Sequence, residues 1–383
     1  NASVYNNIFD ILKRKHQQNT FVKDSRDAIT SPVHKRFGPS YLSSTYLPRL
    51  KEIQLAIKLG SFPHRIKQIQ LPITNSDKKI RSFKLDSSVT GSEIAHVVNS
   101  LALRYMPHSY LEGFSVLLDQ ISHEYPKKPP RSIFTANRHL YDDVFNFWTA
   151  LAVENGSKLV IGQHGGLYGQ GNPPTRIELH EIGVADKYLT WGWTNGNEHV
   201  VAGPALINVG KQSNLNRANR DRILLVTDCT FRYSRRPWST GALYSQYLDN
   251  LFRFVDLLSK SEREALIVRL HHDHDKDDKS HLDQWRDRFP NIEIDPGKRH
   301  LDLVRAESRI DICTTIGTSE IESMSNNRPT LIYLDPSTHP YRQSVQDVFA
   351  VCAEVGILHS SPESLARKIS EVWDDIDSWW NQK

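Results

Sequence analysis

Three cysteines in 383 residues, at positions 229, 313 and 352, are too few and too scattered for a disulfide framework or a CxxC zinc site. That scarcity fits a reducing compartment. No apolar run approaches the ~18 residues of a membrane span, and no charged-then-apolar leader opens the chain. Cytoplasmic residence is therefore expected, with at most peripheral association at the cytoplasmic face of an inner membrane. Charge of one sign is also scarce: the net value is +4, and the excess is scattered. A nucleic-acid partner is not expected, because basic and aromatic residues do not interleave. The densest basic run, Phe231-Arg232-Tyr233-Ser234-Arg235-Arg236, fits a loop meeting phosphates or anionic sugars better. The chain opens on Asn1 rather than Met, which suggests a piece of a longer polypeptide.

What is present is a rhythm. The length suits two domains, drawn at residues 1–210 and 211–383, the first with a helical N-terminal extension and the second with a last helix free to cross back. Residues 1–90 carry no recognisable chemistry. Beyond them, Arg131–Ala136 reads as a strand. Asp142–Glu154 reads as a helix with an acidic first turn and an apolar face of Val144, Phe145, Phe147, Trp148 and Leu151. Asn155-Gly156 stops it and Lys158–Gly162 is the next strand, which makes a βαβ unit and a parallel sheet. After a strand-like Lys187–Trp193, the second half starts afresh at Arg222–Thr230. A helix over about 240–259 follows, then strands Ala265–Leu270, Asn291–Ile294, Ile310–Thr315 and Pro329–Leu334. Two α/β halves with parallel sheets result, and ligands in such folds bind outside the carboxyl ends of the strands.

Polar residues gather at those strand ends. Gln163-His164-Gly165-Gly166-Leu167-Tyr168-Gly169-Gln170-Gly171 follows the strand Lys158–Gly162. Its glycines suit a backbone approached closely by a bound group, and His164 suits a donor to a carboxylate, phosphate or hydroxyl. Asp228 ends the strand begun at Arg222, as a nucleophile, a general base, a hydrogen-bond acceptor for a sugar or simply an Asx cap. Glu178 and Glu181 follow the glycine loop, as a general base or as a solvated helix face.

Two cationic groups stand further on. Arg269 with His271 or His272 suits a phosphate at a strand end, and Lys298 adds charge. The run from Asp273 into Lys276-Asp277-Asp278-Lys279 reads as a solvated loop rather than a metal site. Gly317-Thr318-Ser319 opens a helix whose free N–H groups suit a phosphate, and Glu322, one turn on, suits two ribose hydroxyls. A plain Ser/Thr cap is the alternative.

Taken in order, Gln163–Gly169, Asp186–Trp193 and Thr315–Ser323 resemble the retaining β-Kdo glycosyltransferase domain of bacterial O-antigen and surface-polysaccharide enzymes, over roughly residues 130–340. The resemblance implies a GT-B-like fold, two Rossmann-like domains with parallel sheets facing across a cleft. It implies a CMP-β-Kdo donor, no metal or other cofactor, and a glycan acceptor on lipid-linked O-antigen. It implies neighbouring glycosyltransferase domains in one polypeptide and lipopolysaccharide biosynthesis as the setting. Asp228 matches the acidic residue proposed as nucleophile in such enzymes. His164, with Glu178 or Glu181, falls on the catalytic side. Arg269, His271, His272, Lys298, Gly317, Thr318, Ser319 and Glu322 fall on the donor side, and Gln163, Gly165, Gly166 and Tyr168 on the sugar or acceptor side. A CMP-sialic acid transferase, or a module that binds nucleotide or glycan without catalysis, shares these features.

Overall fold

The computed structural model describes residues 38–61, 75–82, 93–125, 128–211, 221–228, 241–272 and 281–382. The basic run 231–236, Cys229, the polar segment 212–217 and the loop 273–279 lie outside the described residues. Chain proximity divides the protein into two units, residues 1–162 with 185–187, and residues 163–184 with 188–383. Segment 163–184 thus belongs with the second unit, where the sequence division at 210 puts it with the first.

The first unit is built on parallel strands β1 (Ser40–Ser43), β2 (Ser132–Thr135) and β3 (Lys158–Gly162), side by side in that order. β1 and β2 bury alternate side chains, such as Tyr41 and Ile133, against helices Phe114–Glu124 and Asp143–Glu154. The second of these helices starts where its sequence says. Asp142 caps it by accepting the Phe145 N–H, and Val144, Phe145 and Trp148 face the core. Tyr125 stacks on Trp148, with ring centroids 4.5 Å apart.

The second unit carries strand β4 (Lys187–Trp191) from Tyr188 on, and β5 (Val200–Gly203), paired in parallel. It also carries a six-stranded sheet of β6 (Arg222–Val226), β7 (Leu266–Arg269), β8 (Glu293–Asp295), β9 (Ser308–Cys313), β10 (Thr330–Tyr333) and β11 (Leu358–His359). Its order is β11-β10-β9-β6-β7-β8, and every pair is parallel. Counted from β6, that is the 3-2-1-4-5-6 order of a doubly wound dinucleotide-type fold.

The composition of β6 explains its central place. Ile223 and Leu225 pack on the side of helix Gly241–Leu257, while Leu224 and Val226 meet Ile267 and Val304 on the other. A strand covered on both faces needs such an unbroken apolar run. Several sequence boundaries shift. Ala265 ends a short helix, Lys260–Ala265, because Ser259 and Glu262 cap it reciprocally, and β8 begins only at Glu293. The terminal helices Pro362–Val372 and Ile376–Trp380 place Leu365, Ile369 and Ile376 in the second unit's core. No described helix is long and apolar enough to cross a membrane.

Candidate functional site at a strand-order reversal

From β6 the chain steps outward to β7 and β8, then returns across β6 to β9 and continues to β10 and β11. The reversal falls between the carboxyl ends of β6 and β9, the place where doubly wound sheets bind ligands. Asp228 stands at the end of β6, and Thr314 to Gly317 at the end of β9.

One tyrosine joins the two. The Thr314 hydroxyl donates to the Val226 carbonyl at 2.9 Å, which leaves its oxygen to accept the Tyr247 hydroxyl at 2.5 Å. Tyr247 oxygen then accepts the Asp228 backbone N–H at 2.8 Å. Burial, and next the Asp228 charge, push the Tyr247 hydroxyl far above its ordinary range, so it stays protonated and keeps this polarity. Asp228 is part-exposed, and its Oδ2 lies 3.9 Å from His339 Nε2.

Most of the glycines after β3 are required by protein, not open space. A Cβ on Gly166 would fall 1.6 Å from the Gly317 carbonyl oxygen, and the Gly166 N–H donates to Thr318 Oγ1 at 3.1 Å. Gly169 has φ of +80° and lies against the Trp193 indole, and Gly171 lies against the Leu167 side chain. Gly165 alone of this group has nothing within 4 Å of where a Cβ would stand. Gln163 is 2% exposed and fully engaged, donating to the Gly165 carbonyl and accepting from the Trp191 N–H and the Trp193 indole. Its work is to fold the loop.

Behind the loop the helix Arg176–Val184 buries both of its early carboxylates, so the solvated-face alternative does not hold. Glu178 pairs with Arg342 at 2.7 Å, and Arg342 Nε also donates to the Gly171 carbonyl, fastening the glycine loop to the segment after β10. Glu181 is wholly buried. Its Oε2 accepts the Tyr188 hydroxyl, and its Oε1 lies 3.3 Å from His164 Nδ1, at ion-pair distance but outside hydrogen-bond geometry. His164 Nε2 meets the Tyr168 hydroxyl at 3.1 Å. Of this trio, His164 is the residue that reaches the surface.

The donor-side residues divide. Thr318 and Ser319 do open a helix, Thr318–Ser325. Arg269 is spent within the fold, since it pairs with Asp295 at 2.6 Å and donates to the Gly297 carbonyl. Glu322 is likewise held by Arg305 at 2.9 Å and Lys211 at 3.2 Å, so neither oxygen stands free for a ribose. His271 and His272 lie ring to ring, 4.2 Å apart, beyond β7. Lys298 is exposed next to Gly297, whose backbone crowds His272 Cα. Among the described residues no three of His, Cys, Asp and Glu gather as a metal site.

Sequence reading misses two residues here. Glu320 is buried, with Oε1 accepting the Gly317 N–H at 2.6 Å and Oε2 without a hydrogen-bond partner. Burial pushes its carboxyl up to about 8, so a neutral acid sits under the loop. Its place three residues past the helix cap is the signal that could have found it. His339 lies in Asp335-Pro336-Ser337-Thr338-His339-Pro340, a turn after β10 with no pattern pointing to Asp228.

A model of the LIC12162 family transferases matches residues 4–383, so the chain belongs to that family. No curated protein is significantly similar to it. Among solved structures, the crystal structure of Acinetobacter baumannii MurG aligns with a TM-score of 0.36 and 11% identity, over 74% of this chain and 80% of that one.

Proposed function

We propose that this LIC12162 family transferase is a GT-B-like glycosyltransferase that moves Kdo from CMP-β-Kdo to a hydroxyl of a bacterial surface glycan with retention. The observation that carries the reading is Asp228, a part-exposed carboxylate at the strand-order reversal, beside the turn that opens helix Thr318–Ser325. Retention by two displacements needs a nucleophile close to a phosphate site, and Asp228 and the start of helix Thr318–Ser325, at neighbouring strand ends, support that reading.

The anomeric carbon of Kdo is quaternary and carries a carboxylate, so its transition state is oxocarbenium-like. The Asp228 carboxylate attacks that carbon, and the bond to CMP breaks with the electron pair leaving on the phosphate. The acceptor oxygen then attacks the adduct, gives up its proton to a base, and releases the Asp228 carboxylate. Two inversions sum to retention. His164, backed by buried Glu181, serves as that base. Glu178 holds Arg342 instead.

The N–H groups at Thr318 and Ser319, with His271, His272 and Lys298, meet the charge on the leaving phosphate in place of a metal. Arg269 steadies the turn at Gly297 beside them. Gly165, open on its Cβ side, leaves room for the Kdo carboxylate or the acceptor near Tyr168. The acceptor would be lipid-linked O-antigen at the cytoplasmic face of the inner membrane, with further glycosyltransferase domains acting in the same polypeptide.

The test is a melting-temperature panel with CMP, UDP, GDP, ADP, CMP-Kdo and CMP-sialic acid. Ligand at 100 times Kd adds ~2.7 kcal/mol, a shift of several degrees. A shift with CMP and CMP-Kdo is expected. A preference for CMP-sialic acid would replace Kdo, and a response to UDP or GDP alone would discard the CMP donor. CMP binding with no CMP release from CMP-Kdo would leave a binding module.

A further inference from the structure

We propose that helix Arg49–Lys58 is an interfacial docking element, which lays its outward side on an anionic lipid surface. The helix belongs to the first unit, and its role holds whichever donor and nucleophile the transfer uses.

The element is complete before any partner arrives. At its end Gly60, with φ of +69°, donates its N–H to the Ile57 carbonyl at 2.9 Å, and Ser61 donates its own to the Ala56 carbonyl at 2.8 Å. These two bonds make a Schellman closure, whose left-handed residue glycine adopts without a Cβ penalty. Ser61 Oγ accepts the Ser40 N–H at the start of β1, at 2.8 Å. Glu52 Oε2 accepts the Thr45 hydroxyl just past the end of β1, at 2.5 Å. The helix is therefore tied to β1 along its length, and docking needs little further ordering of its backbone.

Its apolar side chains, however, do not face the fold. Ala56 is its one buried residue. Leu50 and Ile57 are 74% and 64% exposed, and Leu55 and the capping Leu59 are exposed as well. At 100° per residue, Leu50 and Ile57 share one line along the helix, and Lys51 and Lys58 run between that line and Leu55. Arg49, Lys51 and Lys58 are all exposed. The single carboxylate, Glu52, is half-buried and engaged by Thr45. Aliphatic side chains and cations thus face solvent together, with no exposed carboxylate on this helix.

That combination selects the occupant. A bilayer takes aliphatic side chains below its headgroups, while the long lysine stems return their charges to headgroup level. Anionic lipid adds attraction for each cation. Two other helices with exposed apolar side chains lack the cation excess. Glu93–Tyr105 exposes Ile94, Val97, Val98 and Leu101 but sets Arg104 against Glu93. Gln346–Glu354 exposes Val348 and Val351 beside Asp347 and Glu354, and has no basic residue. Ten residues rise only about 15 Å, so helix Arg49–Lys58 lies on a bilayer and does not cross it. One short helix gives weak, reversible binding that salt screens.

Vesicle flotation of the full chain tests the surface. Wild type is expected to float with phosphatidylcholine vesicles that contain phosphatidylglycerol, to stay behind with phosphatidylcholine alone, and to be released at high salt. Leu50→Ser with Ile57→Ser should lower vesicle affinity at least about tenfold. Lys51→Gln with Lys58→Gln should lower it about fivefold for each cation removed. All four side chains are exposed, so both variants should melt within about 2 °C of wild type. Equal binding to neutral and anionic vesicles, or full binding by either variant, overturns the assignment. Absence of wild-type binding overturns it too. In that event a dimer dissociated by Leu50→Ser with Ile57→Ser would give the face to a second copy of the chain. A lowered melting temperature in the same variant would give it to another segment of this chain.

Discussion

Gly166 and Gly317, 151 positions apart, meet so closely that a Cβ on the first would lie 1.6 Å from the carbonyl oxygen of the second. The neighbouring bond from the Gly166 N–H to Thr318 Oγ1 fixes the two loops in register. The obstacle is backbone, which cannot rotate aside as a side chain does. Gly166→Ala is expected to cost about 3 kcal/mol, the upper part of the overpacking range, and to lower the melting temperature by roughly 6–12 °C. Gly165→Ala, which meets nothing within 4 Å, is the control and should melt within about 2 °C of wild type. Equal melting of the two variants would show that the loops do not dock this way.

Glu320 predicts a pH dependence of stability. Its carboxyl titrates near 4.5 when unfolded and is pushed up to about 8 by burial in the fold. Between those values the folded protein keeps a proton that the unfolded chain has lost. This contribution is full below 4.5, falls as pH rises, and is gone above about 8. Glu320→Gln keeps an oxygen for the Gly317 N–H but has no such dependence. Its urea midpoint should therefore gain on that of wild type as pH rises from 5 to 8. A constant difference would mean that Glu320 is ionised in the fold.

Strands and helices were legible where one interaction range decides them. The unbroken Ile223-Leu224-Leu225-Val226 could only be a strand covered on both faces, and Asp142 announced its helix by local capping. The order of the strands was not legible, because nothing in β9 names β6 as its neighbour. The glycine loop was half legible. Its glycines signalled close approach, but what approaches Gly166 is Gly317, a contact between distant positions. Arg269 and Glu322 suit a phosphate and a ribose by their place at a strand end and a helix start, but Asp295, Arg305 and Lys211 claim their charges. Pairings of that kind depend on tertiary packing, which residue type and spacing do not encode. His339 escaped for the same reason.

Glu181→Gln should separate positioning from folding behind the glycine loop. The amide still fills the buried site and still accepts the Tyr188 hydroxyl, but it removes the charge 3.3 Å from His164 Nδ1. If His164 takes the acceptor's proton, the second displacement slows about a hundredfold, while CMP affinity and melting temperature change little. The measurement is a burst of CMP release followed by slow turnover, since the first displacement does not need the base. Unaltered steady-state turnover would move the base elsewhere, with His164 left as a packing partner of Tyr168.

Asp228→Asn is the decisive substitution for the transfer chemistry. The side chain keeps its size, and the backbone N–H that Tyr247 accepts is untouched, so the fold should survive. An amide cannot form the Kdo adduct, and transfer from CMP-Kdo should fall at least about a thousandfold. Wild type given donor without acceptor should gain the mass of one Kdo on the peptide that holds Asp228, and the variant should not. Asp228→Gly offers a complementary readout. With azide in the vacated space, the donor should yield a Kdo azide of inverted configuration, because only one displacement then occurs. Retained transfer by Asp228→Asn, or azide product with unchanged configuration, would remove the two-step mechanism and leave Asp228 as the acceptor of a sugar hydroxyl.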